Sequence, residues 1–221
     1  MKKNFIDYIV VIFTLLLIFG LSLVSTFYFS KLSSFLFKKY HIFIDVFFLL
    51  NIHTILTGIF IRLYLAFRPL KEGTYTMEDK EIVHWKFILT MTELSGMIAF
   101  PFIPFFWRPY FFRLFGAQVG RNVEIIGTVF DPSLVKFDDY SIIGAGAIVT
   151  PHIVTHNKVV LKHISIGKKV TIGIGALILP GVEIGENSII AAGAVVPMNT
   201  RIPANEVWAG IPARKIKDVE G

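Results

Sequence analysis

A large apolar residue returns at every sixth position through the C-terminal part of the chain. From residue 164 to 208 it occupies eight consecutive places on one grid: Ile166, Ile172, Ile178, Ile184, Ile190, Val196, Ile202 and Trp208. A helix repeats about every 3.6 residues and a strand about every 2, so neither period explains the spacing. A six-residue period is typical of a parallel β-helix, in which each unit forms one face of a prism.

The same grid continues upstream and extends the predicted β-helix to residues 116–208. Three units make one triangular coil, so we expect about five coils around a column of aliphatic side chains. Asp131 is the one position of the grid that is out of character. Glycines that directly follow the aliphatic positions, such as Gly173 and Gly185, are predicted to occupy corners in a left-handed backbone conformation.

Both ends of such a prism leave an exposed sheet edge, which proteins usually cover. We expect the chain before residue 116 to cap the first coil. The tail, residues 209–221, is predicted to fold back as a short helix that caps the last coil.

The first 115 residues have long apolar runs instead, and they carry nearly all of the chain's 22 Phe. Residues 8–30 form a run of 23 residues without a charge. At about 1.5 Å per residue, a helix of this length crosses a bilayer core of about 30 Å. A second run, residues 42–67, is interrupted by a few polar residues. The pattern predicts a transmembrane helical hairpin over residues 1–68.

Residues 69–115 contain a third apolar stretch in which Trp, Tyr and Arg recur, the residue types found at the headgroup boundary of a membrane. Pro101, Pro104 and Pro109 exclude one straight helix. We therefore expect broken amphipathic pieces that lie in the membrane interface and hold the C-terminal domain against it.

Basic residues set the expected orientation of the hairpin. Lys2 and Lys3 precede the first run and further basic residues follow the second, which favours the cytoplasm for both termini. The connecting loop opposes this orientation with Lys31, Lys38 and Lys39, and a hairpin that dips into one leaflet would remove the conflict. We expect an integral protein of the cytoplasmic membrane whose β-helix faces the cytoplasm.

Composition agrees with a membrane protein and excludes several kinds of chemistry. With 54% hydrophobic residues and a mean hydropathy of +0.65, the chain is more apolar than an ordinary soluble protein. The net charge of +6 is dispersed near the apolar runs, which favours membrane lipid as a partner over nucleic acid. The absence of cysteine excludes disulfides, thiolate metal sites and a thiol nucleophile.

The repeat is broken once, between Val149 and Ile166, which lie 17 residues apart, one fewer than three units require. The break contains His152, His156 and His163, half of the six histidines in the chain. A loop on a rigid scaffold is a common place for chemistry, and histidine suits a general base at neutral pH. The alternatives are surface histidines without a role, or a zinc site of three imidazoles and a water, and the spacing does not decide between them.

These features resemble the hexapeptide-repeat acyltransferase superfamily, whose members have a left-handed β-helix and generally act as trimers. The resemblance covers residues 116–217 and rests on the repeats, the His-bearing break and the ending WAGIPARKIK, which is similar to the G-x-P-A-R element of the family. A weaker resemblance links RPLKEGTYTMEDKEIVHWK and FGAQVGRNVEI to membrane-attached β-helix modules of some nonribosomal-peptide enzymes and polysaccharide-modifying acetyltransferases.

The resemblance implies transfer of an acetyl group from acetyl-CoA to a hydroxyl or amino group, usually of a sugar, with a histidine as general base. His152, in TPHIV, matches the family's base, and His156 is the second candidate. Asp131 is the candidate for the acid that orients the base. Direct transfer fits the lack of cysteine, and no metal is expected.

Coenzyme contacts are also implied by the resemblance. Ala192 matches a small residue beside the pantetheine arm, and Arg214 matches a basic residue at the nucleotide end. Many relatives have Val-Thr-Lys or Val-Thr-Arg where this chain has Val196, Pro197 and Met198, so Arg201 is the candidate substitute for the missing cation.

The leading hypothesis is a membrane-anchored, trimeric acetyltransferase that acts on a saccharide, glycolipid or nascent polysaccharide acceptor. The alternatives are a zinc hydratase similar to the γ-class carbonic anhydrases, a peptide-bond-forming or aminoacyl module, and a non-catalytic β-helix platform. The acceptor, the acyl chain length and the choice between oxygen and nitrogen are not encoded in these patterns.

Overall fold

The computed structural model describes residues 2–219, with side chains from residue 9 onward. Lys2 and Lys3, on which the predicted orientation partly rests, therefore have no described side chains, and the predicted cap extends two residues beyond the described part.

Two long helices, α1 (Lys2–Phe37) and α2 (His41–Phe67), form an antiparallel hairpin joined by a 3-10 turn over Lys38–Tyr40. Large apolar side chains point outward along most of both helices. The helical stretch Ile9–Phe67 contains an 18-residue window with a mean hydropathy of 2.6 and is long and apolar enough, by length and composition, to cross a membrane.

Polar groups of the hairpin face inward and pair with one another. Asp45 accepts hydrogen bonds from Ser30 (2.7 Å) and Ser33 (2.5 Å), and His41 Nδ1 lies 2.8 Å from the same carboxylate. The polar residues that interrupt the second apolar run thus include one held between the two helices, as expected for polar groups that avoid lipid.

A third helix, α3 (Lys80–Ala99), packs along α2 through ring contacts of Tyr64 with His84 and of Phe60 with Phe87. The chain then breaks near the first two prolines, as predicted, and forms a 3-10 turn (Phe105–Trp107) and α4 (Arg108–Leu114). A short strand, β1 (Gly73–Thr76), precedes α3.

The C-terminal part is a prism of three parallel sheets, in agreement with the predicted β-helix. The first sheet contains β2 (Gln118–Val119), β5 (Val135–Phe137), β10 (Ile164–Ile166), β13 (Glu183–Ile184) and β16 (Arg201–Ile202). The second contains β3 (Glu124–Ile125), β6 (Ile142–Ile143), β11 (Thr171–Ile172), β14 (Ile189–Ile190) and β17 (Glu206–Gly210). The third contains β4 (Thr128–Val129), β7 (Ile148–Val149), β12 (Leu177–Ile178) and β15 (Val195–Val196).

These strands make four complete coils and two faces of a fifth. The residues of the six-residue grid stack in register from coil to coil, for example Ile143, Ile172 and Ile190 in the second sheet. All three are fully buried. The column of aliphatic side chains that the period predicts is therefore the core of this domain.

Asp131 does not occupy an inward position, contrary to the grid. Val129 fills the inward place in the third sheet and is paired with Val149 of the next coil. The first coil is irregular, because Val129, its inward residue in the third sheet, comes four positions after Ile125 and not six. Asp131 lies just beyond β4 at a corner, with a left-handed φ of +43°.

The glycines that follow the aliphatic positions are not left-handed, contrary to prediction, and their role is close approach. A Cβ on Gly173 would lie 2.5 Å from the backbone nitrogen of Ala192 in the next coil. The left-handed corner positions are held by other residues, including Asn187, Asn199 and Gly175. Asparagine adopts this conformation more readily than most non-glycine residues.

Both ends of the prism are capped, the second one differently from the prediction. Below the first coil, Arg113 donates to the carbonyls of Val119 and Gly120, and Arg108 donates to that of Ile126. Above the last coil, the tail forms a strand, β18 (Ala213–Asp218), antiparallel to β17, and not a short helix. Strand pairing satisfies the open edge of β17 directly, which a helix would not do.

The chain leaves the prism between Val149 and Ile164, as the break in the repeat predicts. The excursion forms a hairpin of β8 (His152–Val154) and β9 (Lys158–Leu161). β1 pairs antiparallel with β9 and completes a three-stranded sheet. The segment that follows the helical hairpin is thereby attached to the excursion.

Candidate functional site

Two of the predicted site residues meet at one corner of the prism. Asp131 follows β4 and His152 follows β7, and these strands are stacked one coil apart with Val129 opposite Val149. The Nδ1 atom of His152 lies 2.5 Å from Oδ2 of Asp131. The repeat therefore brings together two residues that are 21 positions apart in the chain.

The Asp131 carboxylate is held through both of its oxygens. Asp131 is 1% exposed, and its Oδ1 accepts a hydrogen bond of 2.9 Å from Nε1 of Trp85 on α3. A buried carboxylate needs such partners, because burial without hydrogen bonds is costly. The carboxylate is thus fixed in position by one group from the excursion and one from the helical part.

The His152 ring lies between two aromatic rings and is oriented by Asp131. The ring of Trp85 contacts it edge-on at a centroid distance of 5.1 Å, and that of Phe130 at 5.6 Å. A carboxylate only accepts hydrogen bonds, so Nδ1 carries a proton and Nε2 of the neutral ring is free to accept one. This is the arrangement of a general base oriented by an acid.

A second carboxyl group, that of Glu93 on α3, lies close enough to interact electrostatically with this pair. Burial raises the pKa of Glu93, the negative charge of Asp131 raises it further, and His152 lowers it. The same helix therefore contributes Trp85 and Glu93 to one side of the site.

The other two histidines of the break do not join His152. His156 lies exposed at the tip of the hairpin. The backbone N–H of His163 donates to Oε1 of Glu72 (2.6 Å), and its Nδ1 lies 2.7 Å from the same oxygen. That backbone hydrogen bond is the main cause that lowers the pKa of Glu72. Among the side chains described, residues 9–219, no three His, Asp or Glu are grouped so that they could hold a metal ion.

The predicted coenzyme contacts lie higher in the prism than His152. Ala192 is exposed at a turn of the fourth coil. Arg201, on β16 of the fifth coil, forms an ion pair of 3.4 Å with Glu183, and Arg214 is exposed on β18. With strands about 4.8 Å apart, Ala192 is about 10 Å from the level of His152. One chain therefore does not gather these residues around His152.

Three residues of this region were not predicted from sequence: Trp85, Glu93 and Glu72. Trp85 was interpreted only as part of an interfacial stretch. A signal was nevertheless present, because a buried tryptophan usually finds an acceptor for its N–H and the apolar stretch offers few. Which acceptor it finds depends on how α3 docks on the prism.

Residues 163–197 match the family model described as "Bacterial transferase hexapeptide (six repeats)". This match confirms, over those residues, the resemblance to hexapeptide-repeat transferases that the spacing indicates. The matched stretch covers the third and fourth coils and lies just after the excursion.

Curated relatives share parts of the chain. The mitochondrial γ carbonic anhydrase 1 of Arabidopsis thaliana is 39% identical over 100 residues, 44% of this chain and 34% of that protein. The galactoside O-acetyltransferase of Escherichia coli is 38% identical over 116 residues, 46% of this chain and 54% of that protein. This chain thus spans about a third to a half of these two relatives.

A third relative extends the similarity beyond the prism. The δ-poly-L-ornithine synthetase of Acinetobacter baumannii is 25% identical over 150 residues, 67% of this chain and 11% of that protein. The chain from residue 116 onward is too short to contain an alignment of this length, so part of it falls in the helical region.

Among solved structures, a hexapeptide-repeat acetyltransferase of Vibrio cholerae aligns with a TM-score of 0.51 and 17% sequence identity. The alignment covers 62% of this chain and 94% of that one. At this identity the likeness shows the fold alone, that of the hexapeptide-repeat acetyltransferases.

Proposed function

We propose that this protein is an acyltransferase that moves an acetyl group from acetyl-CoA to a hydroxyl or amino group of a saccharide acceptor. The observation that carries this proposal is the pair of His152 and Asp131 at the break of a hexapeptide-repeat prism. The galactoside O-acetyltransferase of E. coli supports the saccharide acceptor.

His152 is the general base in this mechanism. Its Nε2 accepts the proton of the acceptor O–H or N–H while that oxygen or nitrogen forms a bond to the thioester carbonyl carbon. Asp131 stabilises the imidazolium that results. The carbon–sulfur bond then breaks, and His152 returns the proton to the departing sulfur. No residue is acylated, which agrees with the lack of cysteine in the chain.

The coenzyme site is proposed to lie between copies of the chain in a homotrimer. Ala192, Arg201 and Arg214 are separated from His152 within one chain, so a neighbouring copy would bring one such set beside each His152. The two arginines would meet the phosphates of the coenzyme, for which the guanidinium group is well suited.

We further propose that the helical hairpin anchors the protein in the cytoplasmic membrane, with the prism on the cytoplasmic side. The exposed apolar surface of α1 and α2 supports this, because water would not solvate it favourably. The division into domains that we propose is a hairpin (1–68), an interfacial segment (69–115), a catalytic β-helix (116–208) and a cap (209–221). An anchored enzyme fits a glycolipid, lipid-linked saccharide or nascent polysaccharide acceptor.

The test is performed on the full chain purified in detergent. Acetyl-CoA binding is measured by calorimetry for the wild type and for His152→Ala and Arg214→Ala. Transfer is measured with radiolabelled acetyl-CoA and a total membrane lipid extract, by the label that enters the lipid fraction. We expect His152→Ala to bind acetyl-CoA normally and to lose roughly 100- to 10,000-fold in transfer rate. Arg214→Ala should weaken binding by roughly tenfold.

Absence of acetyl-CoA binding in all three proteins would overturn the proposal. A zinc hydratase is the second candidate, favoured by the similarity to the γ carbonic anhydrase of A. thaliana. Measurements of zinc content and of CO2 hydration with the same preparation would then test the zinc hydratase. The similarity to the polyornithine synthetase keeps an amide-forming reaction as a variant of the leading proposal.

A further inference from the structure

The catalytic pair is not built by the prism alone. Asp131 and His152 come from two coils, but Oδ1 of Asp131 receives its hydrogen bond from Trp85, which belongs to α3. Trp85 is 4% exposed and is 46 residues away from Asp131 in the chain. A helix outside the β-helix thus supplies the third member of a hydrogen-bonded row.

The hydrogen bond matters because of where Asp131 lies. Its backbone is left-handed at a corner and its side chain is buried, with Phe130 and Trp85 rings nearby. The carboxylate has one oxygen on His152 and the other on the indole N–H. Without that donor, Oδ1 would be a buried acceptor with no partner, and rotation of the carboxylate away from His152 would be favoured.

Trp85 contributes a second, separable contact. Its ring packs edge-on against the His152 ring and limits the rotation of the imidazole. Replacement by phenylalanine keeps an aromatic ring there and removes the N–H donor together with part of the buried ring volume. The Asp131→Ala background, in which the N–H has no carboxylate to hold, separates loss of the donor from loss of ring volume.

We propose that Trp85 is a positioning residue: its indole N–H holds the Asp131 carboxylate against His152, so that docking of α3 completes the catalytic pair. This rests on the proposed function. Because α3 also packs on α2 through His84 and Phe87, the orientation of the base depends on the helical part that carries the chain's apolar surface.

The test is a double-mutant cycle in the full chain purified in detergent. The rate constant kcat for transfer of radiolabelled acetyl to membrane lipid extract is compared for wild type, Trp85→Phe, Asp131→Ala and the double variant. We expect Trp85→Phe to lower kcat by roughly tenfold while KM for acetyl-CoA stays unchanged. In the Asp131→Ala background the same substitution should have almost no effect, since there is no carboxylate to hold.

The matched control is Trp107→Phe, because Trp107 is exposed and its ring contact is with Phe106. It should leave kcat unchanged. A purely structural role for Trp85 would lower kcat by the same factor with and without Asp131, and that result would overturn the proposal. An equal kcat for Trp85→Phe and wild type would also overturn the proposal.

A second readout does not depend on acetyl transfer. It therefore distinguishes failure of the positioning role of Trp85 from failure of the proposed function. The modification of His152 by diethyl pyrocarbonate at fixed pH is followed by mass spectrometry, with the exposed His156 of the same molecule as internal reference. We expect the ratio of His152 to His156 modification to fall several-fold in Trp85→Phe and in Asp131→Ala, with no further fall in the double variant. An unchanged ratio in Trp85→Phe would contradict the positioning role even if no acceptor is ever found.

Discussion

The prism has two regions that differ in how regular the repeat is. The upper coils are residues 164–208, and the lower coils are residues 117–163. In the upper coils each strand pairs with the coils above and below, apart from β17, which pairs with the tail strand β18 on its upper side, and the inward residues return every six positions. In the lower coils the repeat is irregular once in the first coil and interrupted once after the second.

The polar groups of the candidate site lie at those two irregularities. Asp131 follows the irregular strand and His152 opens the excursion. The regular coils bury aliphatic side chains and leave little room for a polar side chain inside, whereas the irregular corner admits groups from α3. A rigid repeat thus buries the aliphatic core, and its interruptions hold the groups proposed to carry the chemistry.

The largest change in the free energy of unfolding should come from a substitution in the core of the upper coils. Ile172 is fully buried between Ile143 and Ile190, so Ile172→Ala should lower the free energy of unfolding by about 2–5 kcal/mol. Ile174→Ala is the matched control, because Ile174 is 67% exposed at the adjacent turn and should change it by less than about 0.5 kcal/mol. Denaturant unfolding in detergent measures both, and equal losses would mean that the column is not the main source of stability.

Substitutions at two glycines of one corner should have smaller effects on the free energy of unfolding. Gly173→Ala would place a Cβ against the backbone of the next coil and should lower that free energy by about 1–3 kcal/mol. The loss is larger if the coils cannot move apart. Gly175→Ala meets open space but is left-handed, at φ +68°, and should cost about 1–2 kcal/mol. If the Gly175 variant proves clearly the less stable of the two, the close-approach explanation is wrong.

The smallest effect concerns α3 and depends on pH. Because the pKa of Glu93 is raised in the folded protein, this group contributes stability below its ordinary pKa and loses that contribution as pH rises through the folded value. Glu93→Gln should therefore raise the melting temperature at pH 7.5, and the gain should shrink as pH falls towards 4. Glu186→Gln, an exposed counterpart on the upper coils, should show no such trend. A gain for Glu93→Gln that is constant with pH would show that the charge is not responsible.

Much of the fold could be predicted from local patterns. The six-residue spacing from Ile166 to Trp208 predicts the prism, because every coil repeats the same contacts and one unit contains the information for all. The long apolar runs predict the helical hairpin for a similar reason. The tail was predicted wrongly as a helix, since the open edge of β17 and not local preference determines its conformation.

Part of the candidate site was also visible in sequence. His152 and Asp131 stand out because each interrupts a pattern, although the reason given for Asp131, an inward position, was wrong. The residue roles themselves remain predictions until the variants are measured. Trp85 and Glu93 could not be assigned, because their partners lie in another region of the chain.

The prism, the helical hairpin and the place where the repeat is broken could all be read from local patterns, because each depends on contacts between residues close in the chain or related by a fixed period. Three contacts at the site depend on tertiary packing: Asp131 faces His152, His156 and His163 lie apart from it, and Trp85 reaches Asp131 from α3. These contacts join segments of unrelated pattern, and their geometry follows from how the helices dock on the first two coils.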